Sequence, residues 1–229
     1  MLYFNPEYML YMLPAFLLML LTQMYVKSTF ARWSRVRARS GVSGAEAARR
    51  LMQFGALYGV RIEGSSGRLS DHYDPRSKIL RLSPGVYGGD SVAALAVAAH
   101  ELGHAVQDRE GYTPLRLRSA IVPAVNIGST LGWIFIIVGL VLNFTPLAWI
   151  GLLIFSGGAL FALATLPVEF NASRRAKVLL VQAGLIQSED ERRGVNAVLN
   201  AAALTYVAAL VTALLQLLYY FNLVSGRRR

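Results

Sequence analysis

The sequence predicts a mainly helical membrane protein with about four transmembrane helices and a small α+β part. First, 55% of the 229 residues are hydrophobic and 16% are charged, whereas soluble domains carry about 25% charged residues. The mean hydropathy is correspondingly high, at +0.43. Second, four uncharged apolar runs are each long enough to cross about 30 Å of hydrocarbon, which takes about 20 helical residues. These runs cover residues 8–26, 120–142, 147–166 and 201–224.

The runs predict five segments along the chain. In order, they are an N-terminal transmembrane anchor at 1–26, a cytoplasmic α+β segment at 27–118, a transmembrane hairpin at 119–166, a cytoplasmic helical segment at 167–200, and a C-terminal transmembrane helix with a basic tail at 201–229. Glu7 precedes the first run and the basic stretch KSTFARWSRVRARS follows it, which is the opposite of a cleaved signal peptide. We therefore expect an uncleaved anchor.

The net charge of +10 is better explained by membrane topology than by nucleic-acid binding, because the basic residues cluster beside the apolar runs. If each run crosses once, the clusters after the first run, before the second and after the third lie on one side. They are Lys27, Arg32, Arg35, Arg37, Arg39, Arg116, Arg118, Arg174, Arg175 and Lys177. This pattern predicts that both polar segments face the cytoplasm. The tail residues Arg227, Arg228 and Arg229 oppose this prediction, since they would lie outside.

The first polar segment shows local signals for helices and strands. A capping box at residues 43–46 predicts a helix over 47–57. Two β-prone stretches at 60–62 and 79–82 predict short strands joined by the turn-rich sequence SSGRLSDHYDPRSK. Asp90 or Ser91 can then cap a helix that runs to about Asp108. In the second polar segment, Ser188 and Glu191 form another capping box, so we expect the last helix to begin well before the membrane.

The motif HELGH lies in this predicted helix and uses two of the three histidines in the chain. His100 and His104 are four residues apart, so a helix presents both rings on one face, about one turn apart. Two imidazoles in this position can bind one Zn²⁺. Glu101 lies one step round the helix, where it can act as a general base towards a water molecule. Cysteine is absent, so any further metal ligand must be His or a carboxylate.

Two residues are candidates for a third ligand, and the sequence leaves both open. Glu169 follows the third apolar run, and the hairpin returns it to the membrane face that bears the motif helix. His72 is the remaining histidine. The alternative interpretation of Glu169 is a carboxylate in the first turn of a polar helix, stabilised by the helix dipole, and that of His72 is a turn residue. The hairpin geometry favours Glu169.

Three stretches give the chain a family resemblance. HELGH, two transmembrane runs and then EFNAS, together with the upstream DHYDPRSKILRLSPGVY and the late AALTYVAAL, resemble the bacterial membrane zinc metallopeptidases of the YugP type, which are neutral zinc metallopeptidases. The resemblance covers nearly the whole chain and extends more distantly to HtpX-like membrane proteases. It implies a multi-pass protein of the bacterial cell membrane with a zincin-like part, zinc ligands His100, His104 and Glu169, and Glu101 as the catalytic residue.

The distant relatives usually carry an aspartate four residues after the glutamate ligand, which steadies a ligand histidine. This chain has Ser173 there, and we expect Asn171 or Ser173 to take that role. Stabilisation of an oxyanion has three candidates, Tyr73, His72 and Tyr112, and turn packing is the alternative for each.

These observations predict a membrane-embedded zinc endopeptidase that hydrolyses membrane-associated or unfolded proteins near the membrane surface. Its expected partners are protein or peptide substrates and the lipid bilayer, with no nucleic acid. A substrate could pair as an added strand with residues 79–82, if that strand is an exposed edge. The alternative is a non-catalytic membrane scaffold whose structural zinc is closed by a fourth ligand such as His72. A solute transporter is disfavoured, because the four runs contain no ionisable side chain of the Asp, Glu, His, Lys or Arg type.

Overall fold

The computed structural model describes residues 6–67 and 69–226, and its architecture is mainly helical. In chain order the elements are α1 (Pro6–Trp33), α2 (Gly44–Phe54), β1 (Arg61–Gly64), β2 (His72–Asp74), β3 (Ile79–Leu82), α3 (Pro84–Tyr87), α4 (Val92–Arg109), α5 (Thr113–Val141), α6 (Thr145–Phe155), α7 (Gly157–Gln182) and α8 (Glu189–Gly226). Four helical stretches are long and apolar enough to cross a membrane, as predicted: α1, α5, α6 with α7, and α8. The basic tail at 227–229 lies outside the described residues.

The chain divides into two compact units, and each division falls within a long helix. The first, here called the apolar unit, comprises the chain up to Gln23, Arg116–Pro167 and the chain from Leu204. The second, here called the site unit, comprises Met24–Leu115 and Val168–Ala203. The site unit is therefore built from two separate stretches of sequence.

Helices of the apolar unit pack through small residues and through rings. Gly132 on α5 and Gly151 on α6 allow close contact, since a Cβ atom on Gly132 would lie 2.6 Å from the backbone nitrogen of Phe155. This use of glycine is typical of membrane helix pairs. On α8, the hydroxyl of Tyr220 accepts a hydrogen bond from the indole of Trp133 at 3.0 Å. Fewer than a third of the residues on the apolar part of each candidate span are buried in the protein, which suits helices that face lipid.

The sheet of the site unit has three strands in the order β1-β3-β2. β1 runs parallel to β3, and β2 runs antiparallel to it with His72 opposite Arg81. The prediction that residues 79–82 form an exposed edge is therefore wrong. β3 is the central strand, with Ile79, Leu80 and Leu82 buried. Part of the predicted turn sequence forms β2, so the interpretation of His72 as a turn residue is also wrong, and the free edge beside the motif helix belongs to β2.

Local capping signals are confirmed at three helix starts. The Ser43 hydroxyl accepts a hydrogen bond from the Glu46 backbone amide at the start of α2. Ser91 caps α4 in the same way. At the start of α8, the Glu191 amide donates to the Ser188 hydroxyl, which in turn donates to the Glu191 carboxylate. Such side chains satisfy amides that have no partner inside the helix, and this is why short sequence signals locate helix starts well.

The end of the third apolar run differs from the expectation. The helix does not restart near Pro167, because α7 continues through it from Gly157 to Gln182, and the interruption lies earlier, between α6 and α7 at Ser156. Proline is tolerated inside apolar spans, where neighbouring groups compensate for its missing amide. Glu169 consequently lies in the middle of α7, so its interpretation as a first-turn carboxylate stabilised by the helix dipole is wrong.

Candidate metal centre

The motif HELGH lies on α4, which is among the most buried helices of the site unit. Leu95 and Leu102 are fully buried on it and belong to the main hydrophobic core. The same helix presents His100 and His104 one turn apart, with ring centroids separated by 4.9 Å and ring planes at 85°. Each histidine side chain is only 12% exposed. Both imidazoles are therefore largely shielded from solvent. The core residues that pack around α4 fix the helix that carries them.

Glu169 comes to this position from α7. Its Oε2 atom lies 3.2 Å from Nε2 of His100 and 3.4 Å from Nε2 of His104. The carboxylate is buried, with 2% of the residue exposed. Among residues 6–67 and 69–226, these three residues form the one cluster of at least three His, Asp or Glu side chains that could hold a metal ion. Glu169 thus lies beside both histidines of the motif, as the hairpin geometry predicted.

The three side chains fit zinc in chemistry and in spacing. Zinc is held by imidazole nitrogen and carboxylate oxygen at about 2.0–2.2 Å, and a tetrahedron with such bonds has edges of about 3.3–3.6 Å. The two nitrogen–oxygen distances, 3.2 and 3.4 Å, are close to this edge, and all three candidate ligand atoms lie within 4.8 Å of one another. Burial alone lowers the pKa of His104, but its hydrogen bond to Glu169 and the charges of Glu169 and Glu101 outweigh this effect, so the net pKa is raised. The site therefore favours a cation.

Gly103, at the fourth position of the motif, allows α7 to approach α4. A Cβ atom at this residue would lie 2.4 Å from the carbonyl oxygen of Ala172 on α7. That distance is much shorter than a van der Waals contact, and the obstacle is backbone that cannot rotate away. A larger residue would force the two helices apart and withdraw Glu169 from the histidines. The glycine thus has a packing reason despite its cost of about 1 kcal/mol within a helix.

Each histidine also has a polar partner at its other ring nitrogen. Nδ1 of His100 lies 3.2 Å from the hydroxyl of Ser173, which stands where the distant relatives have aspartate. Nδ1 of His104 lies 3.0 Å from Oε1 of Gln107. Asn171 contacts Gln107 rather than a histidine. Gln107 belongs to none of the sequence motifs described above, and its spacing of three residues from His104 on one helix is the signal that could have identified it.

Glu101 is adjacent to the cluster but does not belong to it. Its Oε2 atom accepts a hydrogen bond from the backbone amide of Tyr73 at 3.0 Å. Tyr73 lies in the middle of β2, so this contact joins the motif helix to the free edge of the sheet. A carboxylate beside two candidate ligands, oriented by a fixed main-chain donor, has the arrangement that a general base requires.

The remaining candidates are engaged elsewhere. His72 is exposed on β2, with Nδ1 2.9 Å from the carbonyl oxygen of Ser70, and it lies outside the three-residue cluster. The phenol of Tyr73 donates to Asp108 at 2.6 Å, and burial, together with that carboxylate, raises the pKa of Tyr73, which keeps the phenol protonated. The ring of Tyr112 packs under the guanidinium of Arg175 at 5.9 Å.

Comparisons with known proteins agree with this chemistry. A family model described as "Putative neutral zinc metallopeptidase" matches residues 8–225. The chain is 47% identical over 206 residues to the "Putative membrane protease YugP" of Bacillus subtilis (strain 168), covering 90% of this chain and 91% of that protein. No solved structure matches the chain. Since the family model spans nearly the whole sequence and the buried cluster suits zinc, the chain belongs to the neutral zinc metallopeptidase family, with zinc as its cofactor.

Proposed function

We propose that this protein is a membrane-embedded zinc endopeptidase that hydrolyses peptide bonds of membrane-associated or unfolded proteins near the membrane surface. The observation that carries the proposal is the position of Glu169 Oε2 at 3.2 and 3.4 Å from the two histidine Nε2 atoms, with Glu101 beside them on the same helix. Family membership and the name of the relative as a membrane protease support the same activity.

In this proposal His100, His104 and Glu169 hold the zinc. Bound there, zinc supplies Lewis-acid chemistry, polarising the scissile carbonyl and making a water molecule easier to deprotonate. Glu101 accepts the proton of that water and later delivers it to the leaving amine. The amide of Tyr73 holds the Glu101 carboxylate in one orientation before the reaction begins, which reduces the rearrangement needed during proton transfer.

The number of protein ligands favours a catalytic site over the structural-zinc alternative. A structural zinc is closed by four protein ligands, whereas a catalytic zinc has three and one open position. His72 was the candidate for a fourth, but its Nε2 atom lies 3.4 Å from the guanidinium of Arg81 and its Nδ1 atom contacts Ser70. Within the described ranges, no fourth His, Asp or Glu side chain joins the cluster.

The edge of β2 is the best-placed surface for an extended substrate. β2 is an edge strand of the three-stranded sheet, and its Tyr73 amide already reaches the Glu101 carboxylate. Because Glu101 already uses the Tyr73 amide, a peptide along this edge would hydrogen-bond to the remaining main-chain groups, and such binding depends little on the side chains of the peptide. Such binding suits an enzyme that accepts unfolded segments of many sequences.

Cleavage of casein by the purified protein in detergent tests the proposed activity. We expect hydrolysis that stops when a chelator removes the metal and returns when stoichiometric zinc is added, because the peptide carbonyl is then activated again. The zinc content of the protein should rise and fall with the activity. Full cleavage by a protein shown to be free of metal would contradict the proposal.

We also propose that the site faces the cytoplasm, because the basic residues that flank the apolar runs lie beside both polar segments. The absence of cysteine allows single cysteines to be introduced without background. In intact cells, a cysteine at Ser66, which is exposed in the site unit, should be shielded from an impermeant thiol reagent. Cysteines at Leu142, next to the α5–α6 turn, and at Asn5, which lies outside the described residues, should be labelled. The reverse pattern would place proteolysis outside the cell.

A further inference from the structure

We propose that Gln107 is a positioning residue that sets the tautomer of His104, and that a directed chain of hydrogen bonds through Val168 and Asn171 sets the orientation of Gln107. The inference rests on the proposed function, because it takes His104 as a zinc ligand. Its basis is a side chain that is completely buried, with 0% exposure, beside the candidate metal centre.

The carboxamide of Gln107 makes three contacts, and all of them lie within the site unit. Its Oε1 atom is 3.0 Å from Nδ1 of His104. Its Nε2 atom donates to the backbone carbonyl of Val168 at 2.8 Å and to Oδ1 of Asn171 at 3.0 Å. Both the nitrogen and the oxygen of the amide are therefore engaged, with three of its four possible hydrogen bonds formed, as expected for a buried glutamine.

The Val168 carbonyl determines which way this amide points. A peptide carbonyl can only accept hydrogen bonds, so the atom of Gln107 that faces it must be the nitrogen. The oxygen then faces His104, and Nδ1 of that ring must carry the hydrogen. When the ring is neutral, as a metal ligand must be, its other nitrogen, Nε2, then carries the lone pair, and this is the atom that lies 3.4 Å from the Glu169 carboxylate. An acceptor on α7 thus selects the tautomer of a ligand on α4.

Arg175, at the other end of this series of hydrogen bonds, determines the same orientation of the Gln107 amide. The Nε atom of Arg175 can only donate, and it lies 2.6 Å from Oδ1 of Asn171. The oxygen of Asn171 must therefore face both Arg175 and Gln107, which again requires the Gln107 nitrogen on that side. Arg175 is itself held by Glu110, with 2.6 Å between Nη1 and Oε2. Two fixed groups, one acceptor and one donor, define the same orientation.

The corresponding contact of His100 does not fix the tautomer of its ring. Its partner is the hydroxyl of Ser173, which can either donate or accept and so does not select a tautomer. The difference also explains why residue 107 is an amide. A carboxylate could accept from His104, but it could not donate to Val168 or Asn171, and it would add a negative charge to a buried site that already contains Glu169.

The test compares zinc affinity in Gln107→Met, Gln107→Glu and wild type, measured by competition with a chromophoric chelator on the full-length protein in detergent. Methionine has a similar volume but makes none of the three contacts. Gln182→Met is the matched control, since this glutamine is exposed at the end of α7. The visible spectrum of the cobalt(II)-loaded protein reports the ligand geometry independently, and the unfolding temperature of the metal-free protein reports packing.

We expect Gln107→Met to weaken zinc binding about 10- to 100-fold, the usual effect of losing a group that orients a ligand, and to alter the cobalt spectrum. Gln107→Glu should recover part of the affinity, since it can still accept from His104, and Gln182→Met should match wild type. Unchanged zinc affinity in Gln107→Met would overturn the proposal. The proposal would also be overturned if both Gln107 variants lost zinc affinity equally and the metal-free proteins unfolded at correspondingly lower temperatures. That result would indicate that Gln107 acts through packing alone. These measurements do not involve proteolysis, so failure of the proposed enzyme activity would be seen separately.

Discussion

Replacing Glu101 with glutamine should abolish peptide hydrolysis while leaving zinc bound. The change removes the group that accepts a proton but keeps an oxygen for the hydrogen bond from the Tyr73 amide, which is 3.0 Å long in the native protein. Because Glu101 lies outside the cluster of candidate ligands, the metal should stay at one equivalent. A general base contributes about 10²- to 10⁴-fold to rate, so we expect kcat/KM to fall by at least that range.

The matched control for this change is Glu63→Gln. Glu63 lies on β1 in the same unit and pairs with Arg81 at 3.6 Å, so it receives the same chemical change without contact to the cluster. Its activity should equal that of wild type. Zinc content, measured by atomic absorption, must be the same in both variants for the comparison to hold. Undiminished cleavage by zinc-loaded Glu101→Gln would show that another group moves the proton, and the catalytic assignment of Glu101 would fail.

Replacing Glu169 with alanine should empty the metal site, whereas replacing His72 with alanine should leave it filled. Glu169 supplies the only carboxylate oxygen of the cluster, and its loss leaves two imidazoles to hold the ion. Since loss of a group that only orients a ligand costs about 10- to 100-fold in metal affinity, loss of the ligand itself should exceed that range. Zinc affinity by chelator competition is the measurement.

His72→Ala is the control because it removes a histidine of the same site unit that is exposed on β2 and contacts Ser70 and Arg81. Glu169→Gln is a second variant, which keeps the shape and one oxygen but removes the charge, and it should bind zinc with intermediate affinity. If His72→Ala lost zinc and Glu169→Ala retained it, the structural-zinc scaffold would become the better interpretation.

The parts of the fold that sequence analysis predicted well depend on local rules. An apolar run of about 20 residues must form a helix in lipid, since no water satisfies its backbone there, and this predicts all four candidate spans. Capping at Ser43, Ser91 and Ser188 likewise needs only the neighbouring residues. Both kinds of signal can be read from one stretch of chain without knowledge of its tertiary contacts.

The strands were harder because their order depends on distant pairing. Residues 79–82 have the same composition whether the strand is central or at an edge, and only the partners β1 and β2 decide between these positions. β2 has three residues and lies in a sequence rich in turn formers, so no periodicity marks it. The expectation that residues 79–82 form an exposed edge was consequently wrong.

The candidate site likewise has features that local geometry predicts and features that depend on contacts between distant residues. Two histidines on one helix face follow from helix geometry alone, and the return of Glu169 follows from the hairpin. The contacts of Gln107 with Val168 and Asn171 do not, because they join residues 61 and 64 positions apart. Pro167 added a further error, since a proline usually indicates a helix boundary, while here it lies within α7.

The two-segment construction of the site unit has a consequence for the biogenesis of the protein. A nascent chain that has emerged only through its first 115 residues contains both histidines of the motif and every strand of the sheet, but not α7. If Glu169 completes the metal centre, that centre cannot assemble until the ribosome has also delivered the intervening hairpin to the translocation machinery. Membrane insertion of the hairpin would then precede, and so limit, assembly of the metal centre.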